Sequence, residues 1–235
     1  FVTKVAADGA SLVYSTYLGG TSDDQAYGII ADAAGNAYVT GRTYSDDFPE
    51  LSGLPGKNPT DAFVTRLDAA GALTFSTYYG GSSHDEGRDL VLDPDGNVLL
   101  VGKTVSGKFP TTPGAFFPST SFTMCDTGTP WVHECTRGFV AKLDLATPSV
   151  LWASLVGPDT KADVWATDVA TDAVGDAFVL AGGSIYKVNP SGTAIVYQRS
   201  GLGAQGLAVD GEGAAYLTGS SSTLTQRSPG GPESK

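Results

Sequence analysis

The sequence predicts an all-β fold built from four repeats of a four-stranded unit. Three observations carry this prediction: short apolar runs that end in turn residues, motifs that recur in a fixed order, and 31 glycines with 13 prolines in 235 residues. The clearest unit is Asp61 to Gly102, whose apolar runs are Phe63 to Leu67, Leu73 to Tyr79, Leu90 to Leu92 and Val98 to Val101. Their length and their β-branched or aromatic content favour strands over helices.

Four sequence elements recur in the same order along the chain. An apolar run ends at Asp32, Asp93, Asp172 and Asp210, and the strand that follows begins at Gly35, Gly96, Gly175 and Gly213. A third element carries a basic residue between apolar ones, at Lys4, Arg66, Lys142 and Lys187. The fourth element carries an aromatic residue, at Tyr14, Phe75, Trp152 and Tyr197. Four copies of each element indicate a repeat protein.

The distance between repeats varies, although the motifs do not. The four terminal aspartates of the apolar runs are separated by 61, 79 and 38 residues, so the insertions fall in loops. Four antiparallel strands recurring at about 40 to 50 residues plus insertions predict four-stranded blades of a β-propeller. A parallel β-helix needs a much shorter repeat, and a two-sheet sandwich needs no internal repetition.

Three strings of the sequence resemble a known repeat family. They are TYLGGTSDDQAYGIIADAAGNAYVTG at Thr16 to Gly41, DAFVTRLD at Asp61 to Asp68 and FPTTPGAF at Phe109 to Phe116. They look like the SBBP repeat, a β-propeller repeat of bacterial secreted and surface proteins. The likeness is dense in the first two repeats, weaker in the third and thin in the fourth. The resemblance implies a propeller and an exported, extracellular or cell-surface location, and it carries no catalytic residue over to this chain.

We expect one domain over residues 1–235, with repeats near 1–60, 61–136, 137–183 and 184–235 and an insertion at 106–136. The chain starts with an outer pair of strands, Phe1 to Leu18, and its last motif is an inner pair. These pairs either join in a closed four-bladed ring or lie at the two ends of an arc. Thr223 to Arg227 looks like a degenerate third strand that would compete with Phe1 to Val5, which favours the arc. Further blades would then come from the same parent protein or from another chain.

The charge excludes one class of partner. The chain has 25 acidic and 14 basic residues, a formal charge of −11, and its basic residues are scattered. A nucleic acid partner is therefore not expected, because no basic patch is evident that could neutralise a phosphate backbone. No apolar run reaches the length of a membrane span. Phe1 opens inside a strand motif without a signal peptide, which we interpret as a processed or excerpted chain.

Acidic loops recur on one predicted face of the propeller. Asp24 aligns with Asp85 and Glu86, and Asp163 falls near the same place in the third repeat. Carboxylates from neighbouring blades could converge on a cation or flank a glycosidic bond. The alternative is that each accepts hydrogen bonds from the backbone of its own loop. We favour the alternative, since the fourth repeat lacks such an acid.

Both cysteines, Cys125 and Cys135, lie in the insertion. Their separation fits no zinc motif, and in an exported protein we expect one disulfide, with a reactive or metal-bound thiol as the alternative. The insertion also carries large apolar groups, at Phe116, Phe117, Phe122, Met124 and Trp131. They either pack the insertion onto its blade or form a lid or docking surface, for which Trp131 is a candidate ligand-binding residue.

No catalytic or cofactor motif emerges from the sequence. The two histidines lie in no nucleophile motif, and there is no phosphate loop. Asp-rich turns such as Asp93 to Asn97 do not fit the calcium loop pattern, so a plain hairpin turn is expected, with weak calcium binding as the alternative. We therefore expect no metal or other cofactor, and structural roles for the four repeated basic residues.

Two functions remain open at this point. The first is an extracellular or cell-surface module that acts without catalysis, as a scaffold or as a binding platform for a protein or a glycan. The second is a polysaccharide-cleaving enzyme with Asp24, Asp85 and Glu86 as its acids. Similar loops in successive repeats favour the first, because catalysis needs different residues in distinct roles within one pocket.

Overall fold

The computed structural model describes residues 1–56, 58, 60–118, 124–125, 133–157 and 163–220. Within these residues the chain forms 18 strands and no helix. No segment among them could therefore cross a membrane as a helix. The strands are β1 (Val2–Val5), β2 (Leu12–Thr16), β3 (Asp24–Ala31), β4 (Ala37–Thr43), β5 (Asp61–Leu67), β6 (Leu73–Tyr79), β7 (Asp85–Leu92), β8 (Val98–Thr104), β9 (Met124–Cys125), β10 (His133–Glu134), β11 (Arg137–Asp144), β12 (Ser149–Val156), β13 (Ala166–Thr171), β14 (Ala177–Ala181), β15 (Ser184–Val188), β16 (Ile195–Arg199), β17 (Ala204–Val209) and β18 (Ala215–Gly219).

Three four-stranded antiparallel sheets form the body of the molecule. Blade 1 has the order β3-β4-β5-β6, blade 2 has β7-β8-β11-β12, and blade 3 has β13-β14-β15-β16. Two further hairpins stand at the ends: β1-β2 is the N-terminal half-blade and β17-β18 is the C-terminal half-blade. The small β9-β10 ladder belongs to the insertion. The predicted all-β fold with propeller blades is thus confirmed.

The middle strands of each blade are buried along most of their length. In β8, Val98, Leu99, Leu100 and Val101 are all fully buried, and β14 is buried from end to end. These strands lie between neighbouring blades, so both of their faces are covered. For that reason they appear in the sequence as continuous apolar runs and not as an alternation of apolar and polar residues.

Apolar clusters fill the interfaces between successive sheets. One cluster joins blade 1 to blade 2, with Phe75 and Tyr79 packed near Leu90 and Phe139. A second joins blade 2 to blade 3, and a third seats Val2 of the N-terminal half-blade among residues of blade 1. Burial of this apolar surface is what holds one sheet against the next.

Each hairpin between the first two strands of a sheet is closed by the terminal aspartate of its apolar run. One side-chain oxygen of Asp93 accepts hydrogen bonds from the amides of Asp95 and Asn97, at 2.9 and 2.8 Å. Asp32, Asp172 and Asp210 make corresponding bonds in the other three copies. The turn interpretation of these aspartates is therefore confirmed.

Two of the repeated basic residues pair with these turns, as expected. Lys142 lies 2.6 Å from a carboxylate oxygen of Asp93, and Lys187 lies 3.0 Å from Asp172. The pKa of the Asp93 carboxyl is lowered, because its bonds to Lys142 and Asn97 outweigh the cost of burial. In the first copy Lys4 instead donates to two turn carbonyls, those of Gly35 and Ala69.

Two of the four repeated aromatic residues, Tyr14 and Trp152, cover a hairpin turn of the next blade. The ring of Tyr14 lies over Gly71, and the indole of Trp152 lies over Gly192 and donates to the carbonyl oxygen of Pro190 at 3.0 Å. Both glycines have a positive φ, of 88° and 69°. A side chain at either position would occupy the space of the ring. In these two copies the aromatic residue packs its outer strand against the next turn.

The Phe-Pro segments of two repeats also have a common role. Phe48 lies 4.6 Å from Phe63 on the third strand of blade 1, and Phe109 lies 4.6 Å from Phe139 on the third strand of blade 2. Both loop phenylalanines are 3% exposed. They anchor the long connection of each blade against its own sheet.

The described sheets form an open arc and do not close into a ring, which is consistent with the favoured alternative. The half-blades at the two ends are separate two-stranded sheets. Each predicted repeat therefore combines the outer strands of one sheet with the inner strands of the next. The proposed third strand at Thr223 to Arg227 lies outside the described residues.

Candidate functional site

The long connections meet on one face of the arc, as the loop pattern predicts. Backbone bonds join neighbouring connections there, from the Tyr44 amide to the Asp23 carbonyl and from the Val105 amide to the His84 carbonyl, at 2.9 and 3.0 Å. The first strands β3 and β7 start at this face, and the second strands β4 and β8 end there. Side chains at these strand ends are consequently brought close together.

A cluster of three cations surrounds one carboxylate at this face. Arg42 and Lys103 approach the same oxygen of Glu86, Oε1, at 3.0 and 3.2 Å, and Arg88 lies 2.9 Å from Oε2. We call Arg42, Glu86, Arg88 and Lys103 the cation cluster. Its cations keep 22 to 26% of their side-chain surface exposed, whereas the Glu86 side chain is only 8% exposed.

The cations of the cluster also lie against aromatic rings. Arg88 lies 4.6 Å from the ring centroid of Tyr27, and Lys103 lies 4.3 Å from that of Trp165. Arg88 also contacts Trp165, and Arg42 lies 5.1 Å from Tyr44. Such contacts hold cations in place while leaving their donors able to bind a further acceptor.

Gln25 and Tyr27 extend the network on blade 1. The Gln25 side-chain oxygen accepts hydrogen bonds from Arg42 at 3.2 Å and from the Tyr27 hydroxyl at 2.8 Å. Burial, together with the nearby Glu86 carboxylate, raises the pKa of Tyr27, so the phenol stays protonated. Burial opposes the charge of Arg42, but its neighbours Tyr27 and Glu86 outweigh that effect and raise the pKa of Arg42.

A cleft of about 280 Å³ opens beside the cation cluster. We call it the central cleft, and it is lined by Arg42, Tyr44, His84, Glu86, Lys103, Thr104, Val105 and Thr136. The rings of Tyr44 and His84 meet edge to face in its wall, 6.3 Å apart. The cleft thus joins blades 1 and 2 to the return of the insertion.

Two of the predicted acids lie in equivalent positions of blades 1 and 2 and make equivalent bonds. Asp24 accepts from the Gly20 amide at 2.7 Å and from the Ser45 hydroxyl at 2.9 Å. Asp85 accepts from the Gly81 amide at 2.7 Å and from the Ser106 hydroxyl at 2.8 Å. Burial raises the pKa of Asp85 in spite of these bonds. Both acids therefore tie down the loop that precedes their own strand.

The remaining candidate ligand-binding residues from the sequence analysis are Glu86, Asp163 and Trp131. Glu86 lies at the centre of the cation cluster. Asp163 is exposed and accepts from the Thr136 amide at 2.7 Å, where the insertion rejoins its blade. Trp131 lies outside the described residues.

Cys125 and Cys135 form a disulfide, as predicted. Both are buried, and the described start of the insertion packs onto blade 2, with Phe117 against the core and its carbonyl accepting from the Leu155 amide at 3.1 Å. Phe122 lies outside the described residues. The role of the insertion as a lid or docking surface stays a prediction.

Sequence reasoning missed Arg42, Arg88, Lys103 and Trp165. One signal was present: a basic residue directly follows the closing glycine of the second strand twice, at Gly41-Arg42 and Gly102-Lys103. Within the described ranges, no three His, Cys, Asp or Glu side chains are placed to hold a metal ion. Weak calcium binding remains untested, and elemental analysis of the purified protein is the measurement that checks for zinc, copper or iron.

These features define the chain as a module of antiparallel propeller blades with a basic and aromatic cleft on its loop face. Residues 13–49 and 74–110 match the SBBP beta-propeller repeat family, which confirms the resemblance seen in the first two repeats. No curated protein sequence matches the chain.

Three of the solved structures that align with this chain come from Bacteroides species. A protein of unknown function from Bacteroides caccae is similar over 91% of this chain and 59% of its own, with a TM-score of 0.52 and 10% identity. The extracellular domains of a putative hybrid two-component system and of a putative one-component system from B. thetaiotaomicron align over 95% and 87% of this chain and 31% and 28% of theirs. Their TM-scores are 0.38 and 0.33, each at 14% identity. The chain therefore spans 59% or less of the length of these structures.

Proposed function

We propose that this chain is a non-catalytic, exported binding module that takes part of a glycan into the central cleft. The observation that carries the proposal is the cleft itself. Arg42 and Lys103, which line the cleft, occupy corresponding positions of two repeats, and the position paired with them differs between repeats, with Gln25 in the first and Glu86 in the second. Divergence at a position that faces a cleft is what a specific binding site needs, whereas a purely structural position would repeat unchanged.

The surroundings of the three acids argue against the enzyme alternative. Asp85 is 1% exposed and bonded to its own loop, so a substrate has no access to it. Both carboxylate oxygens of Glu86 are engaged by cations, Oε1 by Arg42 and Lys103 and Oε2 by Arg88. Asp24 is engaged by Gly20 and Ser45. These contacts leave no free pair of carboxyl groups for general acid and base.

The disulfide supports the exported location. Disulfides persist in oxidising compartments, and small apolar cores and long loops gain most from them. Cys125 and Cys135 close a loop in the insertion beside the central cleft, where an exported binding surface benefits from a fixed conformation.

A scaffold role is the second candidate, and the half-blades favour it. Leu12, Val13 and Tyr216 on these hairpins are 60%, 52% and 61% exposed. Sheet edges with apolar faces are normally covered in the working protein. Further blades of a larger propeller, from the same parent protein or another chain, would cover them.

A glycan array combined with a release assay tests the proposed function. The purified protein is applied to a mixed array of acidic and neutral glycans and is separately incubated with the soluble polysaccharides. We expect binding on the array and no increase in reducing ends. Release of sugar that is lost in a Glu86→Gln variant would contradict the proposal and support the enzyme alternative.

A further inference from the structure

This inference deepens the proposed function and rests on it: it concerns the chemical class of glycan that the central cleft accepts. The chain carries a formal charge of −11, yet the cation cluster sets three cations against one carboxylate. An excess of positive charge is thus concentrated at one place in an acidic protein. Such a local field attracts anions selectively, because the rest of the surface repels them.

Glu86 already demonstrates that the cluster can hold a carboxylate. Its Oε1 receives Arg42 and Lys103 together, at 3.0 and 3.2 Å, and both of these cations line the cleft. Arg42 and Lys103 carry more N–H donors than one carboxylate oxygen can satisfy. A carboxylate that enters the cleft therefore meets two partly exposed cations whose remaining donors can bind it.

The rings beside the cluster suit a sugar. Tyr44 and His84 line the cleft, and Trp165 and Tyr27, which lie outside its lining against Lys103 and Arg88, are 41% and 37% exposed. Aromatic rings offer an apolar face to the C–H groups of a pyranose, and the cations offer donors to its charged group. A cleft of about 280 Å³ has room for a group the size of one sugar residue, which is small for the side chains of a protein interface.

We propose that the central cleft binds an acidic glycan through the carboxylate of a hexuronate residue. Arg42 and Lys103 bind the carboxylate, and Glu86 holds the two cations in place while competing with the ligand for them. The competing charge of Glu86 weakens binding and sets the affinity. Removal of the Glu86 charge should therefore strengthen binding of the glycan, whereas removal of Arg42 or Lys103 should weaken it.

Isothermal titration calorimetry at low salt tests the ligand class. The probes are polygalacturonate, alginate and glucuronoxylan, each compared with its carboxyl-reduced form, in which the acid is converted to a neutral hexose. We expect at least one uronate probe to bind and its reduced form to bind at least tenfold more weakly. Binding should also weaken as ionic strength rises, because exposed charges are screened.

Substitutions at the cluster test the residues. Arg42→Gln and Lys103→Met should each weaken uronate binding about tenfold, since each removes a charge-assisted hydrogen bond. Glu86→Gln should tighten it several-fold by removing the competing charge. Arg199→Gln is the matched control: it removes one exposed positive charge on β16, outside the cleft, and should leave the affinity unchanged. Thermal unfolding of each variant verifies that it is folded.

The outcomes separate this inference from the proposed function. If reduced and acidic probes bind equally and Arg42→Gln weakens both, the cleft is a glycan site but does not recognise a carboxylate. If a uronate binds and Glu86→Gln weakens it, the competing role of Glu86 is wrong. If no uronate probe binds while the array yields neutral glycans, the inference fails and the proposed function stands. If no glycan of either kind binds, both fail.

Discussion

At the scale of single residues, Asp89 links two blades through a group that titrates near neutral pH. Its carboxylate on β7 accepts from the Val169 amide on β13 at 3.1 Å, and Asp168 makes the corresponding bond to the Leu207 amide on β17 at 2.8 Å. Burial, together with the nearby Asp168 carboxylate, raises the pKa of Asp89 to about 6. The inner strands of neighbouring sheets are thus joined by aspartate side chains, and the pKa of one of them, Asp89, is raised.

This pKa predicts a pH dependence of stability. The pKa of Asp89 in the folded protein lies above its ordinary value of 3.8, so protonation of this side chain stabilises the folded state. This stabilisation is fully present below about pH 3.8 and is lost as the pH rises through about 6. Urea unfolding should show a free energy of unfolding that falls between about pH 4 and pH 7. In Asp89→Asn this part of the fall should disappear.

A second aspartate supplies the control for this experiment. Hydrogen bonds from Thr21 lower the pKa of Asp47, so the ionised form of Asp47 stabilises the folded state. The stability that Asp47 contributes is therefore lost as the pH falls, which is opposite to the effect of Asp89. Asp47→Asn should leave the fall between about pH 4 and pH 7 in place. An Asp89→Asn variant with the full pH dependence of the wild type would rule out Asp89 as its source.

Alanine substitutions at two glycines of nearly equal φ can distinguish the cost of backbone strain from the cost of steric overlap. Gly192 has a φ of 69° and lies under the indole of Trp152, whereas Gly9 has a φ of 70° and open space around it. Gly9→Ala should lower the free energy of unfolding by about 1 kcal/mol, the cost of the left-handed conformation. Gly192→Ala should cost at least about 2 kcal/mol more, since the indole must move. Urea unfolding measures both, and equal losses would contradict the packing role of Trp152.

At the scale of elements, the insertion is held at both of its ends, to blade 2 at its start and to the link between blades 2 and 3 at its return. Its first part bonds to β12 through Phe117, and its return bonds through Thr136 to Val164, whose amide donates to the Thr136 carbonyl at 2.9 Å. The disulfide lies between these two anchors. An element fixed in this way adds rigidity to the wall of the central cleft, to which Thr136 belongs.

Removal of the disulfide should therefore reduce stability. The loop that it closes is short, and the chain-entropy model gives a loss of about 3 kcal/mol. The comparison is urea unfolding of the wild type with a variant that carries both Cys125→Ser and Cys135→Ser. Addition of a reductant to that variant is the control and should have no further effect. Mass mapping without reduction checks the bond itself, and a free thiol at either position would contradict it.

At the scale of the whole molecule, the arc leaves its two ends less supported than its middle. The half-blades have two strands each, while blades 1 to 3 have four. Hydrogen exchange should consequently be faster at Val2–Val5, Leu12–Thr16 and Ala204–Val209 than in β8 and β14. Exchange as slow in the half-blades as in the central blades, in a monomer, would show that the ring closes in solution.

Much of this architecture was predictable because its causes are local. The Asp32 and Asp93 turns follow from bonds within five residues of chain, and the buried middle strands follow from continuous apolar runs. The bonds of Asp24 and Asp85 to their own loops belong to the same class. The disulfide was predictable because the two cysteines are ten positions apart and the resemblance to the repeat family implies export.

The central cleft was not predictable, because its residues are distant in sequence. Arg42 meets Glu86 across 44 positions, and Trp165, from a third repeat, lies against Lys103 beside the cleft. Each is an ordinary charged or aromatic residue at the end of its own strand. The sequence by itself determined the strands, the turns and their repetition, which depend on short-range bonds and on burial pattern. Only the tertiary structure decided that the sheets form an arc and that three cations surround Glu86, since both depend on how separate blades pack against one another.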